Sequence, residues 1–148
     1  MVTEAQIWDW LAEVPDPEIP VLSLVELGVI RAVEVGDEVL VKVTPTYSGC
    51  PATGVISLDI EAKLRENGVE NLRLKTQIAP PWTTDWIAPE AHEKLRAYGI
   101  APPRVGQPSC PRCGSANTTL VSPFGSTPCK SHYKCADCLE PFDTFKCI

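Results

Sequence analysis

Apolar residues recur along this chain first with a helical period, then by alternation, and finally hardly at all. Ile7, Trp10, Leu11 and Val14 keep the spacing of one helix face, Thr3 and Gln6 form a capping box ahead of them, and Pro15 and Pro17 end the run. Ser23 with Glu26 can cap one more turn that stops at Gly28. Residues 29–35 and 39–43 flank Gly36-Asp37, and Val39, Val41 and Val43 share one face against Glu38 and Lys42, which predicts a hairpin. A helical run over 52–66 follows, with Val55, Leu58, Ala62 and Arg65 as its stripe, and Val69, Leu72, Leu74, Thr76 and Ile78 suggest a third strand after Asn67-Gly68. Strand, helix and strand make a parallel crossover, right-handed by the usual rule. Thr84 or Asp85 can cap a last helix with Trp86, Ile87, Ala91, Leu95 and Tyr98 on its apolar side, ended by Gly99. The expected fold class is α/β (α+β), a small mixed-sheet sandwich with helices in the order α-β-β-α-β-α.

Beyond this point the pattern lapses and cysteine replaces it. Residues 106–148 hold six of the seven cysteines and few large aliphatics, too little to form an ordinary core. Cys110 and Cys113 lie in C-P-R-C-G, Cys135 and Cys138 in C-A-D-C, and the 21 residues between the pairs suffice for an out-and-back excursion. Two C-x-x-C knuckles can complete a tetrahedral all-sulfur shell, and the lack of histidine in it favours a closed structural site of the zinc-ribbon kind. The same four thiolates could also hold iron; zinc is the favoured ion. Pro102-Pro103-Arg104-Val105-Gly106-Gln107-Pro108 breaks helix and reads as a semi-rigid connection. The expected organisation is an α/β domain over 1–101, a linker over 102–108 and a four-cysteine zinc ribbon over 109–148.

Charge narrows the partners. Of a net charge of −6, residues 1–105 contribute −7 and 106–148 contribute +1, so no concentrated basic stripe marks a nucleic-acid surface along the sequence. No segment approaches a continuous apolar membrane span, and Met-Val-Thr-Glu lacks the basic and greasy run of an export signal. A cytoplasmic setting is expected, where C-x-x-C pairs with an odd seventh cysteine suit metal binding better than a disulfide framework.

Cys50 stands apart from the tail, in a loop between a strand and a helix. There the N–H groups of the helix would stabilise a thiolate, while Gly49 and Pro51 allow close approach and a fixed first turn. A buried, space-filling thiol and a reactive or metal-contacting one both remain open. Asp16, Glu18 and Asp85 are available as polar partners, though acids beside prolines are more often turn formers. His92 and His132 read as surface or cap residues. Cys129 and Cys147 read as small packing groups near the metal, with an accessory part in catching or passing on metal as the alternative. No Walker loop, G-x-G-x-x-G, G-x-S-x-G or H-E-x-x-H is present, so the residues argue against an enzyme of the common nucleotide-dependent or hydrolytic kinds.

Asp16-Pro17-Glu18-Ile19-Pro20, V-E-L-G-V-I at 25–30 and T-Y-S-G-C-P at 46–51 resemble the domain shared by iron–sulfur assembly factors. The segment P-P-W-T-T-D-W at 80–86 and the tail with C-P-R-C-G, F-G-S-T-P-C-K, Y-K-C-A-D-C and F-K-C-I resemble, more closely, the PaaD subfamily of bacterial phenylacetate degradation. The resemblance implies a non-catalytic maturation role, supplying or maintaining an iron or iron–sulfur centre of the multicomponent phenylacetyl-CoA epoxidase. It implies Cys50 as the functional thiol, with Asp16 and Thr46 in the same signature segments. One thiolate binds an iron centre incompletely, so transient iron or cluster at Cys50 requires a homodimer or a partner complex, with epoxidase components or the iron–sulfur assembly machinery. A ribbon serving only as an interaction or structural subunit, or a rubredoxin-like electron carrier, are the competing readings.

Overall fold

The structure is a computed structural model that describes residues 2–46 and 53–146. The chain divides after Trp82 into two compact units. In the first, α1 (Glu4–Leu11) begins at the expected box: the Gln6 N–H donates to Thr3 Oγ1 (3.2 Å) and the Thr3 N–H to Gln6 Oε1 (3.0 Å). Ile7 and Leu11 are its buried face. The proline-rich segment after it is pinned by Asp16, whose Oδ1 accepts the N–H groups of Glu18 (2.8 Å) and Ile19 (2.9 Å). That loop closure carries Ile19 and Leu22 into the core. A second box, Ser23 with Glu26, opens the single turn α2 (Leu24–Leu27), which ends at Gly28 with φ 80°.

Strands β1 (Ile30–Val35) and β2 (Val39–Val43) pair antiparallel, and β3 (Leu72–Thr76) lies parallel to β2, so β2 is the centre of a three-stranded sheet. This is the expected hairpin and parallel crossover. Val33, Val39, Val41 and Val43 face the core. The crossover helix α3 (Thr53–Glu66) departs from expectation in its orientation: Ile56, Ile60 and Leu64 are buried, whereas Val55 and Leu58 are 47% and 67% exposed. Two stripes on this helix satisfy helical spacing, and the fold buries the one with the larger aliphatic area. Ile78, expected to extend β3, lies beyond it and is exposed. Trp82 closes the unit, buried, with its indole N–H on the Leu27 carbonyl at 3.0 Å.

In the second unit, Thr83 caps a 3-10 turn (Thr84–Trp86), and the helix proper, α4 (Pro89–Tyr98), starts later than expected with proline in its first turn. Ala91 and Leu95 are buried; Tyr98 is not. Gly99 terminates it at φ 96° and the chain enters β4 (Ile100–Ala101). β4 pairs parallel with β7 (Pro141–Phe145) in a four-stranded sheet ordered β4-β7-β6-β5, where β5 is Thr118–Ser122 and β6 is Lys130–Cys135. The expected linker at 102–108 therefore lies inside this unit, and Pro108 O accepts a bond from Thr118 Oγ1 (2.8 Å). Ile60→Ala or Leu64→Ala is expected to cost about 2–5 kcal/mol of unfolding free energy and Leu58→Ala under about 0.5, measured by urea denaturation; the opposite ranking would reverse the buried face of α3.

Candidate metal centre

The two knuckles are one local structure made twice. The Cys110 N–H donates to the Ser115 carbonyl (2.8 Å) and the Cys135 N–H to the Glu140 carbonyl (2.9 Å), five residues on in each case. The residue after the second cysteine is left-handed in both: Gly114 at φ 77° and Leu139 at φ 66°. Glycine takes that conformation freely; leucine does so at a cost of about 1–2 kcal/mol, with its side chain 64% exposed.

Side chains then clamp knuckle to knuckle. The Asp137 carboxylate accepts the Ser115 hydroxyl and the Asn117 amide (3.4 Å), while the Ala136 N–H donates to the Asn117 carbonyl (2.8 Å). The Ser115 bond, then the Asn117 bond, hold Asp137 below the usual carboxylate range. The clue in the sequence was an acid inside C-A-D-C and a serine and asparagine just after C-P-R-C-G.

The sulfurs of Cys110, Cys113, Cys135 and Cys138 all lie within 4.8 Å of one another. Cys110 and Cys138 are 3.7 Å apart and Cys113 and Cys135 3.6 Å, both pairs running across the knuckles. A tetrahedral ion with arms of ~2.3 Å to sulfur has edges of about 3.8 Å, so these two separations match the edges of one such site. Cys110 and Cys135 are buried against Ala101 and Phe142, and Tyr133 stacks on Phe142 at 6.1 Å; Cys113 and Cys138 face solvent.

Without a cation these thiols cannot ionise together. The Cys138 N–H lowers Cys135 to about 7. At Cys138 the Glu140 N–H pulls down, but desolvation and the sulfurs of Cys135, Cys110 and Cys113 outweigh it and push the thiol up to about 12. A bound divalent ion would let all four persist as thiolates.

Cys129 is buried and outside the quartet, with Sγ 2.9 Å from Thr127 Oγ1. Cys50 and Cys147 fall outside the described residues. Asp16 is buried in its own loop, and Thr46, the last described residue before Cys50, is half-buried. His132 is not a ligand: its Nδ1 sits 3.0 Å from Asp143 Oδ1, and Asp143 Oδ2 accepts the Ser126 hydroxyl (2.8 Å) and N–H (3.2 Å). The carboxylate lies between hydroxyl and imidazole, so this group ties the 123–129 loop to β6 and β7 and is not a nucleophile–base relay. A Cβ on Gly125 would meet Asp143 Oδ1 at 2.7 Å, which explains glycine there.

Fold and site define an α/β unit of the iron–sulfur assembly type joined to a four-cysteine β-ribbon that can hold a metal ion. Residues 4–71 match the family of iron–sulfur cluster assembly proteins and residues 103–146 the PaaD zinc beta ribbon domain. The chain is 47% identical over 97% of its length, and 92% of the relative's, to an Escherichia coli K12 protein whose name makes it a candidate subunit of 1,2-phenylacetyl-CoA epoxidase. It belongs to the PaaD family. The solved domain of unknown function DUF59 from Bacillus anthracis matches 60% of the chain and 86% of its own (TM-score 0.56, 27% identity). A conserved hypothetical protein from Thermotoga maritima matches 64% and 94% (TM-score 0.55, 33% identity). Among the described residues no helix is long and apolar enough to cross a membrane.

Leu139→Gly should raise ribbon stability by about 1 kcal/mol, read as a higher midpoint in thermal unfolding, by removing left-handed strain. Desolvation raises the Asp143 pKa, but bonds from His132 and Ser126 outweigh it and leave the carboxyl below its usual range. A depressed folded pKa stabilises above the unfolded value, near about 4, and the benefit is lost as pH falls through the folded value. Asp143→Asn is therefore expected to destabilise the protein at neutral pH and to flatten the loss of stability below about pH 4; a parallel offset at every pH would show that the carboxylate charge is immaterial.

Proposed function

We propose that this protein is an accessory maturation factor for a phenylacetyl-CoA epoxidase, handling iron or an iron–sulfur cluster as cargo while its own quartet holds zinc. The observation that carries the reading is a complete four-sulfur shell in the ribbon, which leaves the thiol of Cys50 in the assembly-type domain as a separate group for exchange. Membership of the PaaD family and the name of the Escherichia coli relative support the choice of client. Zinc suits a shell whose two inner sulfurs are buried and whose knuckles are rigidly hydrogen-bonded: it is redox-inert and organises chain that has little other core.

Cys50 is the exchange thiol in this reading, with Asp16 and Thr46 shaping its surroundings; Cys129 and Cys147 are accessory at most. A single thiolate leaves most of an iron centre's coordination unfilled. A second copy of the chain or the assembly machinery supplies the remainder, and cargo leaves when the client's ligands displace the thiolate. The setting is cytoplasmic. The exposure of Cys113 and Cys138 favours one alternative, iron in the quartet and rubredoxin-like electron transfer.

The test is anaerobic purification of wild type, Cys50→Ser and Cys110→Ser, with metal analysis and restoration of epoxidase activity. Wild type is expected to be colourless with one zinc per chain. Cys50→Ser should keep zinc and fail to restore the client's iron and activity; Cys110→Ser should lose zinc and ribbon stability. Full iron content in a client matured with Cys50→Ser sinks the thiol role, and a reversible visible spectrum of iron in the ribbon transfers the reading to electron carriage.

A further inference from the structure

The first unit is acidic, with 13 acidic and 6 basic side chains in residues 1–82, yet one sheet face gathers half of its cations. Strand register sets the arrangement. Opposite to the valine face, Glu34 of β1, Leu40 of β2 and Arg73 of β3 form one row across the sheet, and Ala32, Lys42 and Lys75 form the next. Arg73 and Lys75 are exposed, Lys42 half-buried, and Leu40 and Ala32 half-buried between them. Lys42 and Lys75 stand directly opposite each other, an unfavourable like-charge pair, and in these two rows the strands supply a single acid, Glu34, at 3.6 Å from Lys42.

Charges on an edge strand such as β3 are commonly there to prevent edge-to-edge pairing. Lys42 has no such duty, because β2 is the central strand. We infer that this face, with Lys42, Arg73 and Lys75 around Leu40, is a docking surface for an acidic segment of a partner protein. The alternation of cations with half-buried apolar side chains suits a segment that offers carboxylates around an apolar residue. A second copy is the poorer occupant, because a two-fold interface would set the same cations against themselves. Identification of the epoxidase as that partner rests on the proposed function; the surface itself does not.

Two probes separate the two claims. The full-length protein is titrated with a fluorescent oligo-glutamate peptide containing a central leucine, and separately with purified phenylacetyl-CoA epoxidase, at low and at physiological salt. Lys42→Ser/Arg73→Ser/Lys75→Ser is compared with the ribbon control Lys134→Ser/Lys146→Ser, zinc content and circular dichroism serving as folding checks. The face variant is expected to weaken peptide binding at least about tenfold and to remove most of its salt dependence, with the control unchanged. Carbodiimide coupling should join Lys42 or Lys75 to carboxylates of the partner. Peptide binding unaffected by the face variant overturns the docking surface, as does coupling chiefly between copies of the chain. Peptide binding that follows the prediction while the epoxidase does not bind keeps the surface and overturns the client.

Discussion

Four sulfur atoms within 4.8 Å of one another can remain ionised only with a cation among them, and the second unit is built around that constraint. Apart from the quartet, its ribbon buries few large side chains: Phe142, with Tyr133 packed beside it, and Ala101 line the inner sulfurs, and Phe145 and Cys129 are buried in the same sheet region. The backbone is shaped to the sulfurs, with the same bond from the first cysteine and the same left-handed residue after the second in both knuckles. The strained Leu139 shows how firmly the knuckle imposes its geometry. A metal site of this kind is folding free energy for the polypeptide that supplies it.

The first unit is held together differently. Two capping boxes, an Asx-type loop at Asp16 and an indole bond from Trp82 to Leu27 fix chain direction around an aliphatic core with β2 at its centre. Burial of Asp16 within its own loop gives that carboxylate a plain architectural duty whatever else it does. The parallel pairing of β2 and β3 puts the carboxyl ends of both strands at one edge of the sheet, the end at which crossover folds gather ligands, and Cys50 follows β2 in the sequence.

Under the proposed function the sulfurs divide the labour. A closed, doubly hydrogen-bonded quartet is suited to retention, and a solitary thiol is suited to exchange, since exchange needs incomplete coordination. An acidic body with one basic sheet face adds direction to that chemistry, because cations concentrated on one side orient an approaching acidic partner.

Local rules sufficed for much of this in the sequence. The C-x-x-C spacing determined the quartet, T-x-x-Q and S-x-x-E determined two helix starts, and alternation around Gly36-Asp37 determined the hairpin, because each depends on residues a few positions apart. Tertiary structure alone decided the rest. Val55, Leu58 and Ala62 satisfy helical spacing as well as Ile56, Ile60 and Leu64 do, and only the elements packed against α3, α1 among them, select the second set. Residues 100–101 carry no strand signal of their own and become β4 because β7 offers an edge. Lys42 and Lys75 meet through parallel register, His132 and Asp143 through the antiparallel register of β6 and β7, and Ser126 reaches Asp143 through a folded-back loop. Such contacts are invisible to periodicity, which reports a residue's face but not the partner brought to it from a distant part of the chain.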